Sequence, residues 1–221
     1  MALFSGTHLT CIRGEQTVFS GLDFEIDAGG LLLLVGPNGS GKSSLLRLMC
    51  GLLDCAEGAI RWEGEDTHLE PETHHARLHY VGHQDAIKPM LSVMENITFW
   101  AAMHNSGNGD GDVTKRSGDA LEIFGIHHLA DMPARYLSAG QLRRVALARV
   151  LASPAKLWLL DEPTTALDKS AIAALEQVLS THRKSGGMAV ISTHSEIMAE
   201  DTRTLDLTPF AEARYKNERA A

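Results

Sequence analysis

The chain has 221 residues, enough for one domain with a sizeable subdomain. A chain of that length buries ~70% or more of its unfolded surface and needs no disulfide or metal to stay folded. Apolar residues make up 44% and charged residues 22%, which excludes a disordered, collagenous or disulfide-scaffold protein. The net charge of −8 argues against a general attraction to nucleic acid, so no nucleic-acid partner is expected.

Three cysteines, Cys11, Cys50 and Cys55, lack the C-x-x-C spacing of a zinc or redox site and read as reduced thiols. No apolar run approaches the ~20 residues of a spanning helix. The first residues show no positive segment followed by an apolar one, so no signal peptide is expected.

In chain order, residues 7 to 35 carry short alternations such as Leu22-Asp23-Phe24-Glu25-Ile26, which predict strands near the surface. Leu31 to Val35 is a continuous apolar run bounded by Gly29-Gly30 and Gly36-Pro37. That pattern predicts a strand buried on both faces, as in a parallel sheet. Ser43 to Gly51 reads as a helix, and Ala59–Trp62 and Leu78–Val81 as strands. Residues 86 to 152 read as mostly helical, interrupted by the polar loop Ser106–Asp112. Strand signals return at Leu157–Leu160 and Met188–Ser192, around a helix from about 169 to 184. Strands alternating with helices predict an α/β fold with a mainly parallel sheet. The polar tail after Pro209 carries no assignment.

Gly36-Pro37-Asn38-Gly39-Ser40-Gly41-Lys42-Ser43 fits G-x-x-x-x-G-K-[ST] without departure, between a buried strand and a helix. Such a loop needs glycine because its backbone curls around a phosphate, often at positive φ. Its N–H groups and the helix start then converge on anionic oxygens. Lys42 is placed to reach the β- and γ-phosphates, and Ser43 to offer its hydroxyl to Mg²⁺. A glycine-rich turn that matches by chance is the bland alternative, and the strand–loop–helix context argues against it.

Leu157-Trp158-Leu159-Leu160-Asp161-Glu162 is an apolar strand ending in two acids. Ligands bind at the carboxyl edge of parallel sheets. Asp161 is placed to hold Mg²⁺, and Glu162 to polarise an attacking water. An acidic turn that merely ends a strand would look the same on its own.

Leu137-Ser138-Ala139-Gly140-Gln141 is followed by Leu142-Arg143-Arg144-Val145-Ala146-Leu147-Ala148-Arg149, a predicted helix. Ser138 and Gly140 sit at a helix start suited to phosphate. A helix capped by Ser138 and Gln141, with no ligand, explains the same residues equally well. Gln84 follows a strand, Asp168 closes Thr165-Ala166-Leu167-Asp168, and His194 follows the strand 188–192.

In this order the motifs resemble those of the ATP-binding-cassette (ABC) ATPases over roughly residues 5 to 205. The resemblance implies a phosphate-loop NTPase fold with an N-terminal antiparallel β subdomain and an inserted helical subdomain. The nucleotide-binding core would cover about 1–85 and 153–207, the helical subdomain 86–152, and a polar tail 208–221. It implies ATP and Mg²⁺, and a head-to-tail dimer with two nucleotides at the interface. One copy would hold ATP through Lys42, Ser43 and Ser44, the other through Ser138, Ala139, Gly140, Gln141 and Asp168. Glu162 would be the catalytic base, His194 would contact the γ-phosphate, and Gln84 would sense Mg²⁺ and water. The signature carries Ala139 where the family consensus has glycine. The position where the family often stacks an aromatic on adenine falls near Arg13, whose guanidinium plane can stack instead.

Arg13-Gly14-Glu15, Gly58–Trp62, Tyr80-Val81-Gly82-His83-Gln84, Glu95–Trp100 and Tyr136–Gln141 are further similar to the CcmA family, the ATPases of bacterial cytochrome c maturation. That resemblance implies integral membrane partners (CcmB-like and CcmC-like) and a peripheral place at the cytoplasmic face of the inner membrane. The alternatives are another ABC exporter or a soluble ABC ATPase. The clustered His74, His75, His79 and His83 invite a haem-ligand reading, but solvated loop and strand-end histidines are the simpler expectation.

Overall fold

The computed structural model describes residues 2–104, 113–193 and 201–211. They divide into two compact units, one drawn from Met1–Tyr80, Lys156–Asp161 and His182–Ala221, the other from Val81–Ala155 and Glu162–Thr181.

In the first unit, β1 (Phe4–Arg13) and β2 (Gln16–Ile26) form an antiparallel hairpin joined by β4 (Glu57–Trp62) and β5 (Glu65–Asp66), in the order β2-β1-β4-β5. These strands are not superficial, as their alternation suggested. Phe4, Leu9, Phe19, Leu22, Ile60 and Trp62 from them are fully buried in the main core, because the apolar face of the sheet is covered. The β1 register shifts between Gly6 and Leu9, where His8 takes φ 53 and donates its N–H to Asp23 Oδ1 at 2.6 Å. Gly58 crosses that bulge, and a Cβ there would meet the Thr7 and His8 carbonyls.

The second sheet contains β3 (Leu31–Val35), β6 (Leu78–Val81), β7 (Leu157–Asp161), β8 (Met188–Ser192) and β9 (Thr202–Asp206), in the order β6-β7-β8-β3-β9. The pairs β7·β8, β8·β3 and β3·β9 are parallel. β7 and β8 are buried at every residue, which is why they read as unbroken apolar runs. In β3, Leu33 and Val35 are half-buried instead. Strand β9 was not legible, because its Thr-Arg-Thr-Leu-Asp sequence is largely exposed at the sheet edge. Helix α1 (Lys42–Met49) follows β3 and packs on β7 and β8 through Leu45, Leu46, Leu48 and Met49.

The short α2 (Pro71–Ala76), also unanticipated, corrects the expectation for the histidine cluster. His74 and His79 are buried, not solvated, while His75 and His83 are exposed. His74 Nε2 lies 2.8 Å from the Met49 carbonyl at the end of α1, and its ring stacks on Phe4. Cys11, Cys50 and Cys55 are free thiols, and burial pushes Cys50 and Cys55 up to about 11.

In the second unit, α3 (Val93–His104), α4 (Val113–Ile123) and α5 (Ala139–Ala152) pack on one another. Ser92 and Glu95 close a capping box at the start of α3, with bonds of 2.7 and 3.1 Å. Buried Asn96 ties α3 to the preceding loop through the Lys88 N–H and the Lys88, Leu91 and Ser92 carbonyls. Helix α6 (Lys169–Lys184) follows Asp168. The loop Ser106–Asp112 and the tail from 212 lie outside the described residues.

His182 lies flat on Trp158, with ring centroids 3.9 Å apart, and its Nε2 meets the Met188 carbonyl at 3.2 Å. Burial holds both His182 and His74 below the usual histidine range, so the folded chain keeps them neutral. The unfolded chain protonates them from about pH 6.5 downward and then binds more protons than the folded one. Stability is therefore retained above that pH and falls as pH drops through the lowered folded values. Thermal melts between pH 7.5 and 5.5 should show a falling midpoint. His182→Phe, which keeps a ring on Trp158, should show a shallower fall.

Candidate nucleotide site

The phosphate loop runs from β3 into α1. Gly36, Gly39 and Gly41 take φ of 134, 81 and 101, and a Cβ on Gly41 would press on Phe19 and Val18 at 2.8 and 2.9 Å. Helix α1 has no side-chain cap and no acid in its first turn, the arrangement in which a helix start can take an anion. Lys42 is buried (6% exposed), and its ammonium donates to the Gly36 and Pro37 carbonyls at 2.7 and 3.1 Å. The Ser40 hydroxyl is buried without a hydrogen-bond partner among the described residues, and Ser44, in the first turn of the helix, is buried as well. A buried hydroxyl of that kind calls for a ligand or water. Pro37, Asn38 and Ser43 complete the loop.

Asp161 ends β7 at 2% exposure, and Ser192 at the end of β8 donates to its Oδ1 at 2.5 Å. Parallel pairing places Asp161 opposite Ser192 and Ser192 opposite Leu34, so the carboxylate and the phosphate loop leave the sheet at the same edge. Ser43 and Asp161, both in this unit, supply the hydroxyl and carboxylate oxygens that a hard cation takes. Arg13, at the exposed turn of the β1–β2 hairpin, belongs to the same unit. His194 lies outside the described residues.

The second unit holds the other half of the predicted residues. Ser138 caps α5 with a full capping box: its Oγ accepts from the Gln141 N–H at 3.3 Å, and its N–H donates to Gln141 Oε1 at 2.8 Å. Ala139 opens the helix with no positive φ, so the departure from glycine costs the backbone nothing. The demand for glycine falls one residue later. A Cβ on Gly140 would sit 2.7 Å from the Ala166 carbonyl oxygen, and Ala166 itself takes φ 64. Asp168 caps α6, with its Oδ1 accepting from the Ala171 N–H (2.9 Å) and Ser170 Oγ (2.8 Å). Arg144 donates to Asp168 Oδ2 at 2.6 Å and to the Phe124 carbonyl at 2.8 Å. The backbone bond at Ala171, then the Ser170 and Arg144 contacts, hold Asp168 below the usual carboxylate range. Gly125, His128, Ser138, Gln141, Arg144 and Asp168 line an open cavity of about 280 Å³ at this helix start.

Gln84 is exposed in the loop after β6. Glu162 takes φ 46, a left-handed conformation that costs a non-glycine residue ~1–3 kcal/mol unless its surroundings enforce it, and its Oε2 lies 3.5 Å from Thr165 Oγ1. Sequence reasoning passed over the side chain that holds its carbonyl. Arg143, within the signature helix, donates to the Glu162 carbonyl at 2.7 Å and pairs with Asp85 at 2.8 Å. The one available signal was an arginine in a helix whose following turns are apolar, where α5 buries Arg143 along with Val145 to Val150.

The fold and the phosphate loop define an ATP-binding cassette. Residues 19–165 match the ABC transporter family, and the chain belongs to that family. The chain is 54% identical, over 95% of its length and 96% of the relative's, to the cytochrome c biogenesis ATP-binding export protein CcmA of Paramagnetospirillum magneticum. It is 51% identical to the protein of the same name from Rhodospirillum rubrum, over 95% of this chain and 88% of that one. Among solved structures it is similar to a dimeric bacterial ABC transporter cassette (TM-score 0.79, 25% identity, 92% and 94% covered). It is also similar to a dimeric cassette in a post-hydrolysis state bound to ADP and phosphate (TM-score 0.76, 26% identity, 87% and 88% covered).

Ala139→Gly should leave ATP turnover within about two-fold of wild type and lower the melting temperature slightly, since glycine at a helix start is less favourable than alanine. Gly140→Ala should lower turnover by ~10-fold or more, because the helix start must move away from Ala166. Steady-state hydrolysis by the two variants, side by side, checks both.

Proposed function

We propose that this ABC ATPase is the energy-coupling subunit of a membrane complex for c-type cytochrome biogenesis, where ATP hydrolysis drives haem export or release of a haem-loaded chaperone. The observation that carries the reading is the 54% identity, along nearly the whole of both chains, to a cytochrome c biogenesis ATP-binding export protein. The intact phosphate loop supports it.

Lys42, with the loop N–H groups and the Ser43 and Ser44 hydroxyls, binds the β- and γ-phosphates of ATP. Arg13 stacks on the adenine through its guanidinium plane. Glu162 takes the proton of the attacking water, Gln84 orients that water, and His194 contacts the γ-phosphate. Ser43, Asp161 and Gln84 would hold Mg²⁺ through oxygen atoms alone, and the bound ion would neutralise phosphate charge. A second copy, head to tail, presents Ser138, Ala139, Gly140, Gln141 and Asp168 to the nucleotide held by the first. Similarity to a dimeric cassette structure supports this arrangement.

The partner surface lies on the second unit. Met90 and Tyr136 are 72% and 65% exposed. Arg135 joins them, donating to Tyr136 Oη at 2.8 Å and approaching Met90 Sδ at 3.6 Å. Met132 and Phe99 are exposed in the same unit, the latter under the Lys88 ammonium at 5.0 Å. An apolar patch edged with basic groups suits cytoplasmic segments of CcmB-like and CcmC-like membrane subunits. No helix among the described residues is long and apolar enough to cross a membrane. The chain would sit peripherally at the cytoplasmic face of the inner membrane.

Glu162→Gln in the native organism tests the reading. Turnover should fall ~100-fold or more while the variant accumulates and binds ATP, and covalent haem staining of c-type cytochromes should disappear. Unchanged staining with a hydrolytically dead variant would assign the chain to another exporter.

A further inference from the structure

Arg143 takes no part in the phosphate, magnesium or partner contacts assigned above, yet it is only 4% exposed. Its Nη1 donates to the Gly82 carbonyl at 2.9 Å and to Asp85 Oδ1 at 2.8 Å. Its Nη2 donates to the Glu162 carbonyl at 2.7 Å, and its Nε reaches the Pro163 carbonyl at 3.4 Å. Gly82 and Asp85 bracket Gln84. One rigid planar fork therefore holds the loop that carries Gln84 and the turn that carries Glu162, from the helix whose cap is Ser138.

Glu162 is left-handed at φ 46, and a donor on its carbonyl fixes the peptide plane that this conformation requires. The Cα–Cβ bond from which its carboxylate departs is thereby held in direction. Arg149, farther along α5, donates to the Asp85 carbonyl at 3.4 Å and lies over Trp100 at 4.8 Å, so the Gln84 loop is tied to α5 twice.

We propose that Arg143 is a positioning residue for hydrolysis. It contributes no atom to the reaction. It locks Glu162 and Gln84 to the signature helix, so that a displacement of that helix moves both together. The inference rests on the reading of Glu162 as the base. Lysine preserves a charge for Asp85 but cannot span both segments, since an ammonium is a point donor on a flexible stem.

The test uses the full chain assembled with its membrane subunits and measures turnover against ATP concentration. Arg143→Lys should lower kcat by ~10-fold or more and leave KM for ATP within about two-fold, because the phosphate loop is untouched. In a Glu162→Gln background the same change should have a several-fold smaller effect on residual turnover, since there is no base left to position and only the Gln84 loop is released. A merely structural role would lower turnover by the same factor in both backgrounds, and that result, or a wild-type kcat in Arg143→Lys, overturns the inference alone. A Glu162→Gln variant with wild-type turnover overturns the reading of Glu162 and the inference with it. If Arg143→Lys does not accumulate, Asp85→Asn keeps the bond to the Glu162 carbonyl while weakening the tie to the Gln84 loop. It should lower kcat by ~3-fold or more at unchanged KM, through the Gln84 loop. An unchanged kcat in that variant overturns the inference.

Discussion

Parallel pairing of β7, β8 and β3 is the constraint on which the nucleotide-binding unit depends. Because these strands run in one direction and in register, three reactive segments leave the sheet at one edge: the phosphate loop after Leu31–Val35, the carboxylate of Asp161, and Ser192. Parallel strands need covered faces, and the covering residues are the apolar side of α1 and the antiparallel sheet that contributes Phe4, Phe19 and Trp62 to the same core. Burial of β7 explains why Asp161, though ionisable, is nearly inaccessible and is oriented by a serine hydroxyl. Leaving a carboxylate there without that donor would cost the desolvation of a charged group.

The helical unit is organised on a different principle. Its helices pack through ordinary apolar contacts, but its loops are held by arginines. Arg143 ties two loops, Arg144 ties the start of α6 to the end of α4, and Arg149 sits on Trp100. Burial pushes Arg149 down to about 10, and the Asp85 charge offsets part of that effect. The largely buried Arg143–Asp85 pair contributes little net stability compared with apolar packing, yet leaving either partner alone is costly. Such a pair specifies geometry more than it stabilises it, which suits loops whose exact placement serves chemistry.

The two halves of the site were legible to different degrees. The phosphate loop was readable in full, because a backbone that must curl round a phosphate demands glycine at fixed spacing. The observed positive φ values at Gly36, Gly39 and Gly41 follow from that demand. The signature was readable only as an ambiguity. Ser138 and Gln141 form a capping box whether or not a phosphate binds, so the local pattern serves both purposes. The importance of Gly140 over Ala139 was not readable, because it depends on Ala166, a residue distant in the chain that approaches the helix in three dimensions. Strand β9 was missed for a related reason: an exposed edge strand carries no apolar alternation.

The sequence by itself determined the alternation of the central strands and helices, the phosphate loop, the acids at the end of β7 and the family. Each of these depends on local chemistry: apolar periodicity, glycine at positions needing positive φ, and charged residues at strand ends. Only the tertiary structure decided that His74 and His79 are interior groups, that Asp161 answers to Ser192, and that Arg143 holds the turn at Glu162. Those contacts join residues far apart in the chain, and an arginine or histidine carries the same letter whether it meets water or a buried carbonyl.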